Sequence, residues 1–336
     1  MAALDSMRAL IRHQLTGAPS VLVRGGMRFI PGTPDIPDEL IKDVAEGRAV
    51  FLCGAGVSMR VDMPSFDGLT KQIYADIGET PKNEAAEVEA LRHGEYDRAL
   101  RSLERRTRLP KAPSRVRMAT TKLLTPASGL TLSDHLNLLR LSRDAEGQVR
   151  LLTTNFDPLF ECAAHADGLT VPSHAGKAMP RPGTPEDHGI LHLHGRIAYD
   201  PRNISPSDMI LTSADFGDAY LRDGWASQYI EDRMRLNTLV LVGYAAEDTA
   251  MRLLLETLDA DRDRFSDLKK IYAIERQTPI SASIWIAKGI VPIEFADYDQ
   301  VYKALGEWAT YAMNPAAYAG AKLRAILGGA PVTKAP

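Results

Sequence analysis

Six short apolar runs constrain the fold of this chain more than any other feature. They are Ala49-Val50-Phe51-Leu52-Cys53, Val149-Arg150-Leu151-Leu152, Gly189-Ile190-Leu191-His192-Leu193, Thr238-Leu239-Val240-Leu241-Val242, Lys270-Ile271-Tyr272-Ala273-Ile274 and Ile290-Val291-Pro292-Ile293. None shows the sustained apolar–polar alternation of a half-exposed strand, and the run 49–53 shows none at all. That is the signature of strands covered on both faces. Helical patterns lie between several of them; Ala250, Leu253, Leu254 and Leu258, for example, mark one helical face. Short buried strands separated by helices specify an α/β fold with a doubly wound, mostly parallel sheet.

The rest of the chain is arranged around those runs. From about 70 to 142 the sequence is rich in Arg, Glu, Ala and Leu and lacks strand signals, so 80–142 reads as an inserted helical module. Residues 1–35 read as an N-terminal arm, with a short helix over Met7 to Leu15 and a hairpin around Gly25-Gly26 within 21–30. Pro31, Pro34 and Pro37 then stop regular structure, and a helix follows near 38–46. The main domain spans 36–312, and 313–336 forms a C-terminal helix and tail. Residues 172–188, punctuated by Pro172, Pro180, Pro182 and Pro185, read as a loop.

Composition removes several function classes. The net charge of −3 gives no whole-molecule field toward nucleic acid or an anionic membrane. The two cysteines, Cys53 and Cys162, exclude a cysteine-based structural zinc site and suit a reducing cytosol. No stretch approaches the roughly 20 apolar residues of a membrane span, and no secretory leader is evident. A cytoplasmic location is expected.

Four motifs follow the apolar runs, where ligands sit in doubly wound sheets. Gly54-Ala55-Gly56-Val57-Ser58 follows the first; its glycines would let a backbone turn approach a pyrophosphate, and a ligand-free glycine turn is the competing reading. Thr153-Thr154-Asn155-Phe156-Asp157-Pro158 follows the second. Asp157-Pro158 suits a helix start, whereas Asn155 offers a neutral donor and acceptor for ribose hydroxyls or a water. His192-Leu193-His194-Gly195 places two histidines on one side of a strand; His194, beside Gly195 at the strand end, is the functional candidate, and His192 reads as structural. Gly243-Tyr244-Ala245-Ala246-Glu247-Asp248 follows the fourth run, with Asp248 open to ribose binding or helix capping.

These residues resemble the sirtuin family. Gly54 to Ser58, followed by Met63-Pro64-Ser65-Phe66, resembles its first motif, and Thr153 to Asp157 its Thr-Gln-Asn-Ile-Asp motif. His194-Gly195 resembles the catalytic His-Gly, and Gly243-Tyr244 the turn beside the adenosine ribose. The doubled threonine, Asn155-Phe156-Asp157 and the Gly-Tyr-x-x-x-Asp turn look most like the SIR2-like domains of bacterial anti-phage systems. The chain departs from protein-deacylating sirtuins in lacking a four-cysteine ribbon, in carrying Asp67 where arginine follows phenylalanine, and in having Thr154 in place of glutamine.

The resemblance implies a sirtuin-like, Rossmann-type fold and NAD as substrate, with no metal. Asn155 would position the ribose and a water. His194 would accept a proton, its ordinary pKa of about 6.5 suiting work near neutrality. Gly54, Ala55, Gly56 and Ser58 would hold pyrophosphate, and Phe66 would wall the nicotinamide. Thr153, Thr154, Asp157, Gly243, Tyr244 and Asp248 complete the expected binding set. The implied activity is NAD+ hydrolysis, as an effector that depletes NAD. The alternatives are a zinc-less NAD-dependent protein deacylase and a non-catalytic NAD- or ADP-ribose-binding assembly module. The resemblance also implies a homo-oligomer and a separate partner such as a HerA-type ATPase, since little length is left for a fused sensor. Nucleic acid would be reached through that partner or the basic stretch 101–117, whose competing reading is a solvated helical face.

Overall fold

The computed structural model describes residues 25–83, 86–197, 209–244 and 268–326. Two two-residue strands, β1 (Gly26–Met27) and β2 (Ile36–Pro37), pair antiparallel. The remaining strands are β3 (Ala49–Cys53), β4 (Arg150–Thr153), β5 (Ser173–Ala175), β6 (Gly189–His192), β7 (Thr238–Val242), β8 (Ile271–Arg276) and β9 (Val291–Phe295). They form one parallel sheet in the order β5-β6-β4-β3-β7-β8-β9. The fold is the expected doubly wound, Rossmann-like α/β architecture.

Alternation along β3 explains the layers. Ala49, Phe51 and Cys53 point into one core, and Val50 and Leu52 into the other. The first core is closed by helices α1 (Asp38–Ala45), α7 (Ser133–Leu141), α8 (Leu159–Ala166), α12 (Tyr298–Met313) and α13 (Pro315–Ile326). The second is closed by α10 (Trp225–Leu236) and α11 (Ser281–Ala287), through Tyr229, Ile230, Met234 and the fully buried Trp285. With both faces covered, β3 has no exposed residue, which is why its sequence shows no alternation.

Between β3 and β4 the chain makes the four-residue turn α2 (Ala55–Ser58) and then α3 (Phe66–Asp76), α4 (Glu87–Arg92), α5 (Tyr96–Arg106) and α6 (Arg115–Leu123). Ser65 caps α3 by accepting the Gly68 amide at 3.1 Å, and Ser114 caps α6 by accepting the Arg117 amide at 3.3 Å. Leu69, Ile73, Leu100, Leu103, Val116 and Ala119 give this module its own core, shared with Ile197, Met209 and Leu211 downstream of β6. The module therefore lies over the carboxyl edge of the sheet. Helix α7, inside the stretch 80–142 read as the insert, packs on the sheet through Leu138, Leu139 and Leu141.

Gly26–Met27 pairs forward with Ile36–Pro37 across the proline-rich loop; residues 21–24 of the expected hairpin around Gly25-Gly26 lie outside the described residues. Residues 172–188 are not all loop, because Ser173–Ala175 adds an edge strand beside β6. Ser-His-Ala carries no β-branched or large apolar side chain, so nothing local signalled it. The expected helix through Ala250, Leu253, Leu254 and Leu258, and the arm before residue 25, lie outside the described residues. The described part of the arm folds back on its own domain. Phe29 is buried and packs against Trp308, Tyr311 and Tyr318, with ring centroids 6.0, 5.7 and 6.4 Å away.

The basic stretch is divided: Arg105, Arg108 and Lys111 are exposed, whereas Arg106, Arg115 and Arg117 are engaged within the protein. Arg106 pairs with Glu79 and Glu87 at 2.6 and 2.8 Å, and Arg115 donates to the Ile77 carbonyl at 2.7 Å. Arg117 pairs with Glu104 and Asp215 at 2.9 and 2.6 Å and donates to the Met209 carbonyl, tying the module to helix α9 (Ser213–Phe216) and the segment before it.

Candidate active site

Strand order reverses around β3, which has β4 on one side and β7 on the other. The carboxyl ends of these strands and of β6 bring together the four motifs, and such a switch point is where doubly wound sheets bind ligands.

Asn155 is the most tightly held residue there. Its amide N–H donates to the Thr153 hydroxyl at 3.1 Å, and its carbonyl accepts from His192 Nδ1 at 2.8 Å. Its side-chain nitrogen donates to the Gly54 carbonyl at 3.1 Å and to the Ser58 hydroxyl at 3.0 Å. A carbonyl can only accept, so Gly54 dictates which end of the amide faces it. Both side-chain hydrogens are then committed. Oδ1, an acceptor, is what Asn155 has left to present to a ligand.

The Gly54–Ser58 turn differs from the expected open cradle. Gly54 N donates to Val242 O at 2.9 Å, Gly56 N to Gly243 O at 2.9 Å and Val57 N to Gly54 O at 3.1 Å. Those three amides are engaged within the protein and are not free for a pyrophosphate. The glycines are needed for a different reason. A Cβ on Gly54 would stand 2.7 Å from Gly243 O, one on Gly56 2.9 Å from Gly243 Cα, and one on Gly243 2.7 Å from Val57 N. Gly243 is also left-handed, at φ +73°. The turns after β3 and β7 thus interlock backbone against backbone.

Thr153 supports the site from beneath: it is fully buried, and its hydroxyl donates to Cys53 O at 2.8 Å while accepting from Asn155. Its expected ligand contact is replaced by this tie. Thr154 Oγ1 lies 2.8 Å from the Tyr244 hydroxyl, which in turn donates to Cys53 O at 3.3 Å. Asp157 is buried and accepts the Leu159 amide at 3.2 Å, at the start of α8, so the helix-start reading holds for it. Burial raises its carboxyl, opposed by hydrogen bonds from Ser58 and Leu159. Phe66 packs on the module core with Met63 and Phe156, its ring edge-on to Tyr96 at 5.9 Å. Ala55 is exposed at the head of the turn, and Asp248 lies outside the described residues.

His194 is buried at the end of β6. Its Nε2 lies 2.6 Å from the Tyr220 hydroxyl, and the Phe216 and Tyr220 rings meet it edge-on at 5.3 and 5.8 Å. Desolvation pushes its pKa down to about 3, so the expected value near 6.5 does not describe this environment. The ring is neutral at neutral pH. Phe216 and Tyr220, stacked at 5.9 Å and running into the π-helical segment Gly217–Arg222, were not anticipated. Their four-residue spacing beside a polar turn was the available signal.

His192 is fully buried and not merely packed: Nε2 meets Glu161 Oε1 at 2.9 Å. Glu161 also accepts from Ser173 at 2.5 Å, with Arg196 at 3.8 Å. Burial works to raise the Glu161 carboxyl, but the charge and hydrogen bonds of His192 and Ser173 outweigh it and hold it at about 2. Glu161 was missed because only folding brings it beneath β6. Among the described residues no group of three or more His, Cys, Asp or Glu could hold a metal ion, and no helix is long and apolar enough to cross a membrane.

Residues 149–293 match the family model for a SIR2-like domain. A protein of Sinorhizobium fredii (strain NBRC 101917 / NGR234), named uncharacterized protein y4cA, is 37% identical over 308 residues, 88% of this chain. The chain spans 25% of that relative's length.

Proposed function

We propose that this chain, carrying a SIR2-like domain, is an NAD+ hydrolase that cleaves the nicotinamide–ribose bond. The observation that carries the reading is the attitude of Asn155: an amide at the switch point with both hydrogens fixed inward and its oxygen left for a ligand. The residues fit the substrate in part. An acceptor of this kind suits a ribose hydroxyl or an attacking water. The engaged amides of Gly54, Gly56 and Val57 do not suit the phosphates, so these need other donors.

In the reaction, water adds at the ribose C1′ as the bond to nicotinamide breaks; the bonding pair leaves with nicotinamide and one proton is released. Asn155 orients the hydroxyl or water through Oδ1, which contributes by alignment before chemistry. His194, neutral at working pH, receives the proton through Nε2 once the Tyr220 hydroxyl yields or relays it. The packed layer of Phe216, Tyr220 and the helical module limits water around the site.

The biological part of the proposal is defence against phage by NAD depletion, in a homo-oligomer acting with a separate partner such as a HerA-type ATPase. Its support is the resemblance of the motifs to SIR2-like defence effectors. The test is incubation of purified protein with NAD, alone and with the product of the neighbouring gene, followed by product identification. Nicotinamide appearing with ADP-ribose or its cyclic form, without added peptide, is the expected result. Release that requires an acyl-lysine peptide, or tight NAD binding without turnover, would replace this reading.

A further inference from the structure

His192 lies between two acceptors. The Asn155 carbonyl accepts from Nδ1 at 2.8 Å, and Glu161 Oε1 faces Nε2 at 2.9 Å. A carbonyl has no proton to give, so Nδ1 carries one. Nε2 makes the ring's second contact, with the Glu161 carboxyl, and His192 is fully buried. The other titratable groups around it are Arg196, 3.8 Å from Glu161, and Asp157, which is coupled electrostatically to His192 and Glu161. Ser173 on the edge strand β5 completes the set by donating to Glu161. A chain of contacts therefore runs from β5 through α8 and β6 to the main chain of Asn155 at the end of β4.

We propose that His192 and Glu161 are positioning residues that hold Asn155 by its main-chain carbonyl, so that its side-chain oxygen meets the ribose or water at a fixed angle. The proposal rests on the reading of Asn155 as the ligand-contacting residue. The amide of Asn155 is anchored by Thr153, and its side chain by Gly54 and Ser58; the carbonyl is held by His192. Without that last tie, the peptide between Asn155 and Phe156 is free to rotate, constrained on its far side by the bond from Ile197 N to Phe156 O at 2.8 Å. A small rotation there displaces Oδ1, and misplacement of about 1 Å costs on the order of 100-fold in rate.

Two substitutions separate positioning from packing. His192→Asn places an amide nitrogen near Nδ1 and keeps a donor for the Asn155 carbonyl. His192→Gln places its nitrogen near Nε2, keeps the contact with Glu161 and loses the tie to Asn155. For NAD turnover, His192→Gln is expected to lower kcat about 100-fold with KM changed by less than about threefold, while His192→Asn stays within about tenfold of the parent. Crystal structures of the two proteins supply a readout independent of turnover: the Asn155 amide leaves Gly54 O and Ser58 Oγ in the Gln protein and keeps them in the Asn protein. If Asn155 stands unmoved in both, or both turn over NAD equally, the proposal is wrong. A parent protein that neither binds nor consumes NAD defeats the functional reading instead, and the crystal structures still decide the positioning. Should neither His192 variant fold, Glu161→Gln, which keeps a partner for Nε2, is compared with Glu161→Leu in the same assays; equal behaviour overturns the proposal.

Discussion

The side-chain nitrogen of Asn155 donates to the Ser58 hydroxyl at 3.0 Å, joining residues 97 positions apart and orienting one amide at the junction of β3 and β4. With the Gly54 carbonyl on the other hydrogen, the side chain has one usable orientation. Asn155→Asp tests it with almost no change of volume. A carboxylate oxygen would then oppose the Gly54 carbonyl oxygen. NAD loss should fall by about 10²–10⁴, as should that of Asn155→Ala, with circular dichroism unchanged. Parental nicotinamide release from the Asn155→Asp protein would show that the orientation is irrelevant.

His194→Ala should remove turnover by a similar factor, about 10²–10⁴. Its pH behaviour is more diagnostic. Because burial holds His194 near 3, it stays neutral down to that value, and kcat/KM should show no ionisation near 6.5. A pH profile of the parent between 5 and 8 checks this. An acid limb near 6.5 that vanishes in Tyr220→Phe would mean that His194 is solvated in the working enzyme.

The interlocked glycines make a stability prediction. Gly54→Ala and Gly56→Ala each force a Cβ to within 3 Å of the turn at Gly243. Each should cost about 1–3 kcal/mol and lower the melting temperature. Gly217→Ala is the control: nothing lies within 4 Å of its added Cβ and its backbone is helical, so stability should hold or rise. Equal melting of all three proteins would refute the interlock.

Acid should destabilise the fold through two histidines. His135 is fully buried against Phe160 with neither ring nitrogen hydrogen-bonded, and desolvation lowers its pKa to about 4; His194 is held near 3. Both values are below the unfolded one, near 6.5. Their contribution is fully present above pH 6.5 and declines as pH falls toward 4 and 3, because the unfolded chain binds protons first. At pH 5 the loss is on the order of 2 kcal/mol per histidine. Urea melts at pH 7.5 and 5 measure it, and His135→Leu should remove its share. Identical pH dependence in that variant would clear His135 of the effect.

The sequence by itself determined the layered sheet and the order of the sites along it. The run 49–53 is apolar on both sides because β3 is covered on both faces, and a glycine or polar motif follows each strand where the chain must turn at the carboxyl edge. Those are local consequences of burial and backbone geometry, legible without a fold. Ser173–Ala175 was not legible, since an edge strand of small and polar residues gains its place from β6 alone. The roles within the site were decided by tertiary structure. Which end of the Asn155 amide points outward depends on Gly54, the acidity of His194 depends on burial beneath Phe216 and Tyr220, and the second contact of the His192 ring depends on Glu161. The glycines that read as a phosphate cradle proved to be contacts between two turns. Orientation, desolvation and pairing are properties of groups brought together from distant positions, and no single stretch of chain encodes them.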